Sequence, residues 1–110
     1  MSGVVPEVER GAMRRVYQVD LPSEGGSGRK TVTVAGTREV LAATQTLYGG
    51  VQIRSLSTNT GYITVYLSPT DTYGMRIERD DGILFLEVDD LAVVYVDASV
   101  NGEGVEFIWT

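Results

Sequence analysis

The chain contains no cysteine and no histidine. The first absence excludes disulfides and thiolate metal sites. With no histidine, no glycine-rich phosphate loop and no recognisable catalytic set, the sequence offers no starting point for an enzyme and calls for no cofactor. No run of about 18 apolar residues exists, so no segment reads as a membrane-spanning helix. Pro6, Glu7 and Glu9 occupy the place where a secretory leader would carry its apolar stretch; the expectation is a protein made in the cytoplasm and not exported by the general route. Positive charge is scarce in most of the chain. The net charge of −6 divides into +2 over residues 1–38 and −8 over residues 39–110. An acidic body argues against a nucleic-acid surface there. Neither an amphipathic helix of useful length nor an internal repeat is visible.

What is present is alternation. The 110 residues are 43% hydrophobic and 22% charged, the balance of a single globular domain with a lean core. Residues 1–14, with Gly3, Pro6 and Gly11 and no period, read as an extended N-terminal arm, and residues 15–110 as one β domain. Arg15–Asp20 alternates as a first strand, which Pro22 ends, and Ser23–Gly28 has the composition of a flexible loop. Lys30–Val34 alternates with Val32 and Val34 inward, and Val40–Ala43 fits a strand or a short helical turn. Val51 and Ile53 oppose Gln52 and Arg54; Ile63, Val65 and Leu67 oppose Tyr62, Thr64 and Tyr66 across the next strand, after a turn at Asn59–Gly61. Met75 and Ile77 alternate with Arg76 and Glu78 ahead of a turn at Asp80–Gly82. Leu84, Leu86 and Val88, then Val94, Val96 and Ala98, continue the pattern on either side of a corner at Asp89-Asp90. Asn101-Gly102 has the strongest hairpin chemistry in the chain, and Val105, Phe107 and Trp109 form an inward face after it. About eight short strands at this spacing predict a two-sheet β-sandwich or jelly-roll-like domain.

Candidates for chemistry are few. Asp80-Asp81 and Asp89-Asp90 are the densest carboxylates, but they lack the spacing of a calcium loop and are ordinary turn sequences. Acids held in tight turns leave little room for the sugar cleft of a glycosidase. Tyr17, Tyr48, Tyr62, Tyr66, Tyr73 and Tyr95 are candidates for a sugar-stacking platform, Tyr62 and Tyr66 sharing a strand face; tyrosine also suits any half-buried strand or protein interface. Arg10, Arg14 and Arg15 in the arm fit phosphates or an acidic protein surface equally well.

Two strands are apolar on both faces: Ile83 and Phe85 oppose Leu84 and Leu86, and Val93 and Tyr95 oppose Val94 and Val96. A sandwich strand ordinarily keeps one wet face. The second face is therefore covered by the N-terminal segment or meets another chain. On the second alternative, Arg10, Arg14, Arg15, Ile83, Phe85, Val93 and Tyr95 are the candidate protein-interface residues.

From about Thr37 to Thr110 the ordered features are Val40-Leu41-Ala42, Val51-Gln52-Ile53, the Asn59-Thr60-Gly61 turn into Ile63-x-Val65-x-Leu67, and Gly74-Met75. They end with Asp90-Leu91-x-x-Val94-Tyr95-Val96-Asp97-Ala98 before Gly102-x-Gly104-Val105-x-Phe107. In this order they resemble the small all-β virion proteins of tailed bacteriophages, especially capsid decoration (cement) proteins and related head or tail accessory proteins. The resemblance implies a structural role: binding the outside of a capsid and reinforcing it. It implies as partners the major capsid protein or other virion proteins, and copies of the same chain, with a trimer favoured. It also implies residence in the virion, with no membrane and no nucleic acid bound. A tail or head–tail accessory protein of the same fold, and a glycan-binding module, are the alternative expectations.

Overall fold

A computed structural model describes residues 25–110. They form eight strands: β1 (Gly26–Thr31), β2 (Glu39–Val40), β3 (Val51–Ser55), β4 (Ile63–Tyr66), β5 (Met75–Ile77), β6 (Leu84–Leu86), β7 (Tyr95–Ala98) and β8 (Gly104–Trp109). A single 3₁₀ turn, Leu91–Val93, precedes β7. The strands make two antiparallel four-stranded sheets, ordered β1-β8-β3-β6 and β2-β7-β4-β5. The pairing is nested: β1 with β8, β2 with β7, β3 with β6, and β4 with β5. Ladders from β3 to β8 and from β4 to β7 complete the sheets. That nesting is the wrap of a jelly roll, so the all-β, two-sheet expectation holds. The arm, the Arg15–Asp20 strand and Arg10, Arg14 and Arg15 lie outside the described residues.

The core lies between the sheets. Val51, Ile53, Val105 and Phe107 face Ile63, Val65, Ile77, Val96 and Ala98, with Leu41, Leu47, Leu91 and Val94 filling the ends. Strict alternation produces this arrangement, because side chains of successive strand residues point to opposite faces. Val51 and Ile53 are buried while Gln52 and Arg54 between them are exposed.

Several expectations need correcting. Gly26, Ser27 and Gly28, expected in a loop, belong to β1 and pair with Trp109, Ile108 and Phe107. A side chain at Gly28 would place its Cβ 2.7 Å from the Phe107 ring, and one at Gly26 only 2.3 Å from Trp109. The two rings fill the room that side chains on β1 would need. This strand is glycine-rich because its neighbour is aromatic. Val34, expected inward, is half exposed because it lies beyond the end of β1; Leu67 and Met75, which alternate in step with the buried Ile63, Val65 and Ile77, are about half exposed too, Leu67 lying beyond β4 and Met75 at the start of edge strand β5. The Val40–Ala43 segment is extended only as far as Val40 and is not helical. Asn101-Gly102 does turn the chain, with Gly102 at φ +80°, but β7 and β8 belong to opposite sheets, so the turn is a crossing and not a hairpin.

The Asn59–Gly61 segment also departs from expectation. Asn59 is buried and clamps the start of β8: its Nδ2 donates to the Gly104 carbonyl at 2.7 Å, and the Gly104 amide donates to its Oδ1 at 3.2 Å. The Glu103 carboxylate accepts from the Thr60 amide, the Thr60 hydroxyl and the Gly61 amide at 2.7, 2.7 and 2.9 Å. A polar segment expected at the surface thus stitches the β3–β4 connection to β8, and its buried amide is satisfied from both sides.

Candidate interaction surface

The outer face of the first sheet is built by its register. Ser27, Ile108, Gln52 and Phe85 stand in one row across β1, β8, β3 and β6. Arg29, Glu106 and Arg54 form the adjacent row, where Arg54 Nε donates to Glu106 Oε2 at 2.5 Å. Ile83 lies just ahead of β6. Together with Ser27, Arg29, Gln52, Arg54 and Ile108 it lines a shallow groove of about 590 Å³. Ile83, Phe85 and Ile108 are 60%, 49% and 54% exposed. Three large apolar side chains held outward make an exposed apolar patch, and covering it would release water from apolar area.

The outer face of the second sheet is finished differently. Tyr66 stands opposite Tyr95 on neighbouring strands. The Arg38 guanidinium lies 3.4 Å from the Tyr66 ring centroid and donates to the Ser68 and Asp71 carbonyls at 3.1 and 2.9 Å. Arg76 stacks 3.6 Å from the centroid of Tyr62 and donates from Nε to Glu78. Cations held against ring faces are favourable contacts, and they occupy the ring surface that a sugar would stack on. Tyr48 and Tyr73 lie in separate connections, and Tyr17 is outside the described residues.

The structure therefore divides the interface candidates. Ile83 and Phe85 share the first-sheet face. Val93 ends the 3₁₀ turn and borders a different groove, with Leu47, Tyr48, Glu87 and Val88. Tyr95 is half-buried on the second sheet. Their common doubly apolar pattern did not place them together, because β6 and β7 belong to different sheets. Ile108 is an exposed apolar residue of the first-sheet face that the sequence reading missed. Its signal was present: it alternates with the inward pair Phe107 and Trp109, so it must point out.

The carboxylate corners are structural. Asp90 accepts from the Ala92 amide, the Thr44 hydroxyl and the Gln45 amide at 3.0, 2.7 and 3.1 Å, capping the 3₁₀ turn. These donors, the Ala92 amide foremost, hold its carboxyl below the usual range. Asp81 accepts from the Glu78 amide at 2.8 Å and closes its own turn. Glu103 is likewise lowered, chiefly by the Gly61 amide. The bond from Lys30, 2.8 Å away, lowers Glu39, with help from the Thr33 amide. Among the described residues no three acidic side chains gather as a metal-holding group, and no helix is long and apolar enough to cross a membrane. No family model matches the chain, and no curated protein or solved structure matches it either.

Proposed function

We propose that this chain is a structural virion protein of a tailed bacteriophage, a decoration protein that docks on the outside of the capsid and reinforces the shell. The observation that carries this reading is the open first-sheet face, with Ile83, Phe85 and Ile108 presented outward by a small β-sandwich. A stiff domain of nested strands suits a load-bearing accessory, and its outward apolar row suits a protein partner. The resemblance of residues 37–110 to such proteins points the same way. Its partners on this reading are the major capsid protein or neighbouring virion proteins, and copies of itself, with a trimer favoured. The mechanism is mass action: a ligand that binds only the assembled shell raises the free energy needed to break it.

The test is a thermal one. Shells lacking this chain, incubated with the purified protein, should open at a higher temperature, and should retain the protein through sedimentation. Shells that neither retain it nor gain stability would defeat the proposal. Retention by isolated tails would favour a tail or head–tail accessory of the same fold. A glycan-binding module is the less supported alternative, because arginines lie against Tyr62 and Tyr66, the two tyrosines that share a strand face.

A further inference from the structure

A second exposed apolar feature belongs to the other sheet. The connection between β4 and β5, residues 67–74, carries Leu67 at 49% and Tyr73 at 89% exposure, and Met75 follows it. This connection is tightly built. The Ser68 hydroxyl accepts from the Thr70 and Asp71 amides at 3.2 and 3.0 Å. Arg38 holds the Ser68 and Asp71 carbonyls. At its exit Gly74 packs so closely on β4 that a Cβ there would lie 2.6 Å from the Val65 carbonyl oxygen. An aromatic side chain displayed on an ordered loop has little conformational freedom left to lose on binding, which is the economy of a good anchor residue.

We infer that the β4–β5 loop of one copy docks, Tyr73 first, into the first-sheet groove of a second copy. Three observations select this occupant. The two apolar features differ in form, one a projecting loop and the other a shallow groove, so the contact is between unlike surfaces. They belong to opposite sheets, so one copy can offer its loop to one neighbour while receiving the loop of another. Their charges also match: Asp71 is the only charge in residues 67–74, and the groove carries Arg29 and Arg54 against the single acid Glu106. A contact between unlike surfaces propagates head to tail and makes a ring when its rotation closes. The inference rests on the self-association part of the proposal above and not on the virion role.

Complementation between two surface variants tests it. Tyr73→Ser removes the inserting ring, and Ile83→Asp places a carboxylate in the groove to repel Asp71. Both positions are well exposed, so both full-length variants should fold, as circular dichroism and melting would verify. In light scattering at increasing concentration, the native chain should associate, and each variant alone should associate on the order of tenfold more weakly or worse. An equimolar mixture should recover association as a heterodimer, because one variant keeps an intact groove and the other an intact loop. The pair cannot grow further, because its remaining loop and groove are the altered ones. If the native chain associates and Tyr73→Ser leaves its mass unchanged, the inference is overturned while self-association stands. A mixture as dissociated as its components overturns it too. A monomeric native chain in which Ile83→Asp opens residues 1–24 to protease would put that segment in the groove and would overturn the inference and the self-association reading together.

Discussion

On the second sheet, Tyr62 and Tyr66 turn outward and each meets an arginine, Arg76 and Arg38. On the first sheet, Ile83, Phe85 and Ile108 turn outward and stay half exposed, although Arg29 and Arg54 stand in the neighbouring row. The same alternation along the strands produced both faces. The difference lies in where the arginine goes. Arg38 reaches across its own sheet to close a ring face and tie down a loop, whereas Arg54 pairs with Glu106 and leaves the apolar row open. One face is tied down within the single chain, and the other is left exposed, which on the reading proposed above is where a partner docks. Substitutions should separate the two roles.

The inner layer shared by both faces sets the largest effect. Phe107→Ala removes a buried ring that packs against Trp109 and over Gly28, and should cost about 3–5 kcal/mol by urea unfolding. Glu106→Ala, one residue away on the outer face, should cost about 0.5 kcal/mol or less, as an exposed ion pair contributes little. The reverse ranking would mean that the register of β8 is wrong. Next in size is Asn59→Ala, which strands the Gly104 amide in the interior; a loss of about 2 kcal/mol is expected. The comparison between faces is sharpest at the third step. Arg38→Ala should lower the stability of the isolated chain by about 1 kcal/mol, through the lost ring contact and two lost carbonyl bonds. Phe85→Ser should leave that stability within about 0.5 kcal/mol of native and act on association instead. Equal losses from both in the monomer would erase the distinction between a finished face and an open one.

The smallest effect is a dependence on acid. Glu103 has its carboxyl lowered by the Gly61 and Thr60 amides, so its charged form is favoured in the folded chain. A lowered carboxylate adds stability that is complete above the ordinary range and is lost as pH falls through the folded value. Urea midpoints of the native chain should therefore decline below about pH 4, where glutamate ordinarily titrates. Glu103→Gln should be the less stable at neutral pH, and the gap should narrow in acid. A gap that stays constant down to pH 3 would show that the carboxylate charge does not matter there.

Much of the fold was readable where a side chain has only one place to go. Val51 and Ile53 alternate with Gln52 and Arg54, Val105 lies between Gly104 and Glu106 after a turn, and each is buried. Reading failed where the deciding atom belongs to a distant strand. Gly26-Ser27-Gly28 has linker composition, and nothing local reveals that Trp109 and Phe107 will fill its space. Asn59 resembles a turn residue until Gly104 arrives to meet it. Periodicity also carries no mark of where a strand stops, so alternation extends to Val34 and Leu67 although both lie beyond their strand ends. The candidate interface was half legible for the same reason. Ile83 and Phe85 announced themselves by breaking the alternation, but the sheet order that separates them from Val93 and Tyr95 depends on pairings across the whole domain.

The nested pairing has a kinetic consequence. The innermost pair, β4 with β5, spans only the connection 67–74 and can form as soon as it is synthesised. The outermost pair, β1 with β8, encloses the other described strands, and β8 leaves the ribosome after them. Contacts so distant in sequence fold slowly, because the entropy of closing the loop is lost before any contact offsets it. Among the described strands β1 therefore waits longest for its partner, and a waiting edge is the usual template for pairing with the wrong chain. Its glycines make it a poor strand in isolation. Only when Phe107 and Trp109 arrive does it gain a surface to lie against, so the residues that look like a linker delay β1 until its proper partner exists.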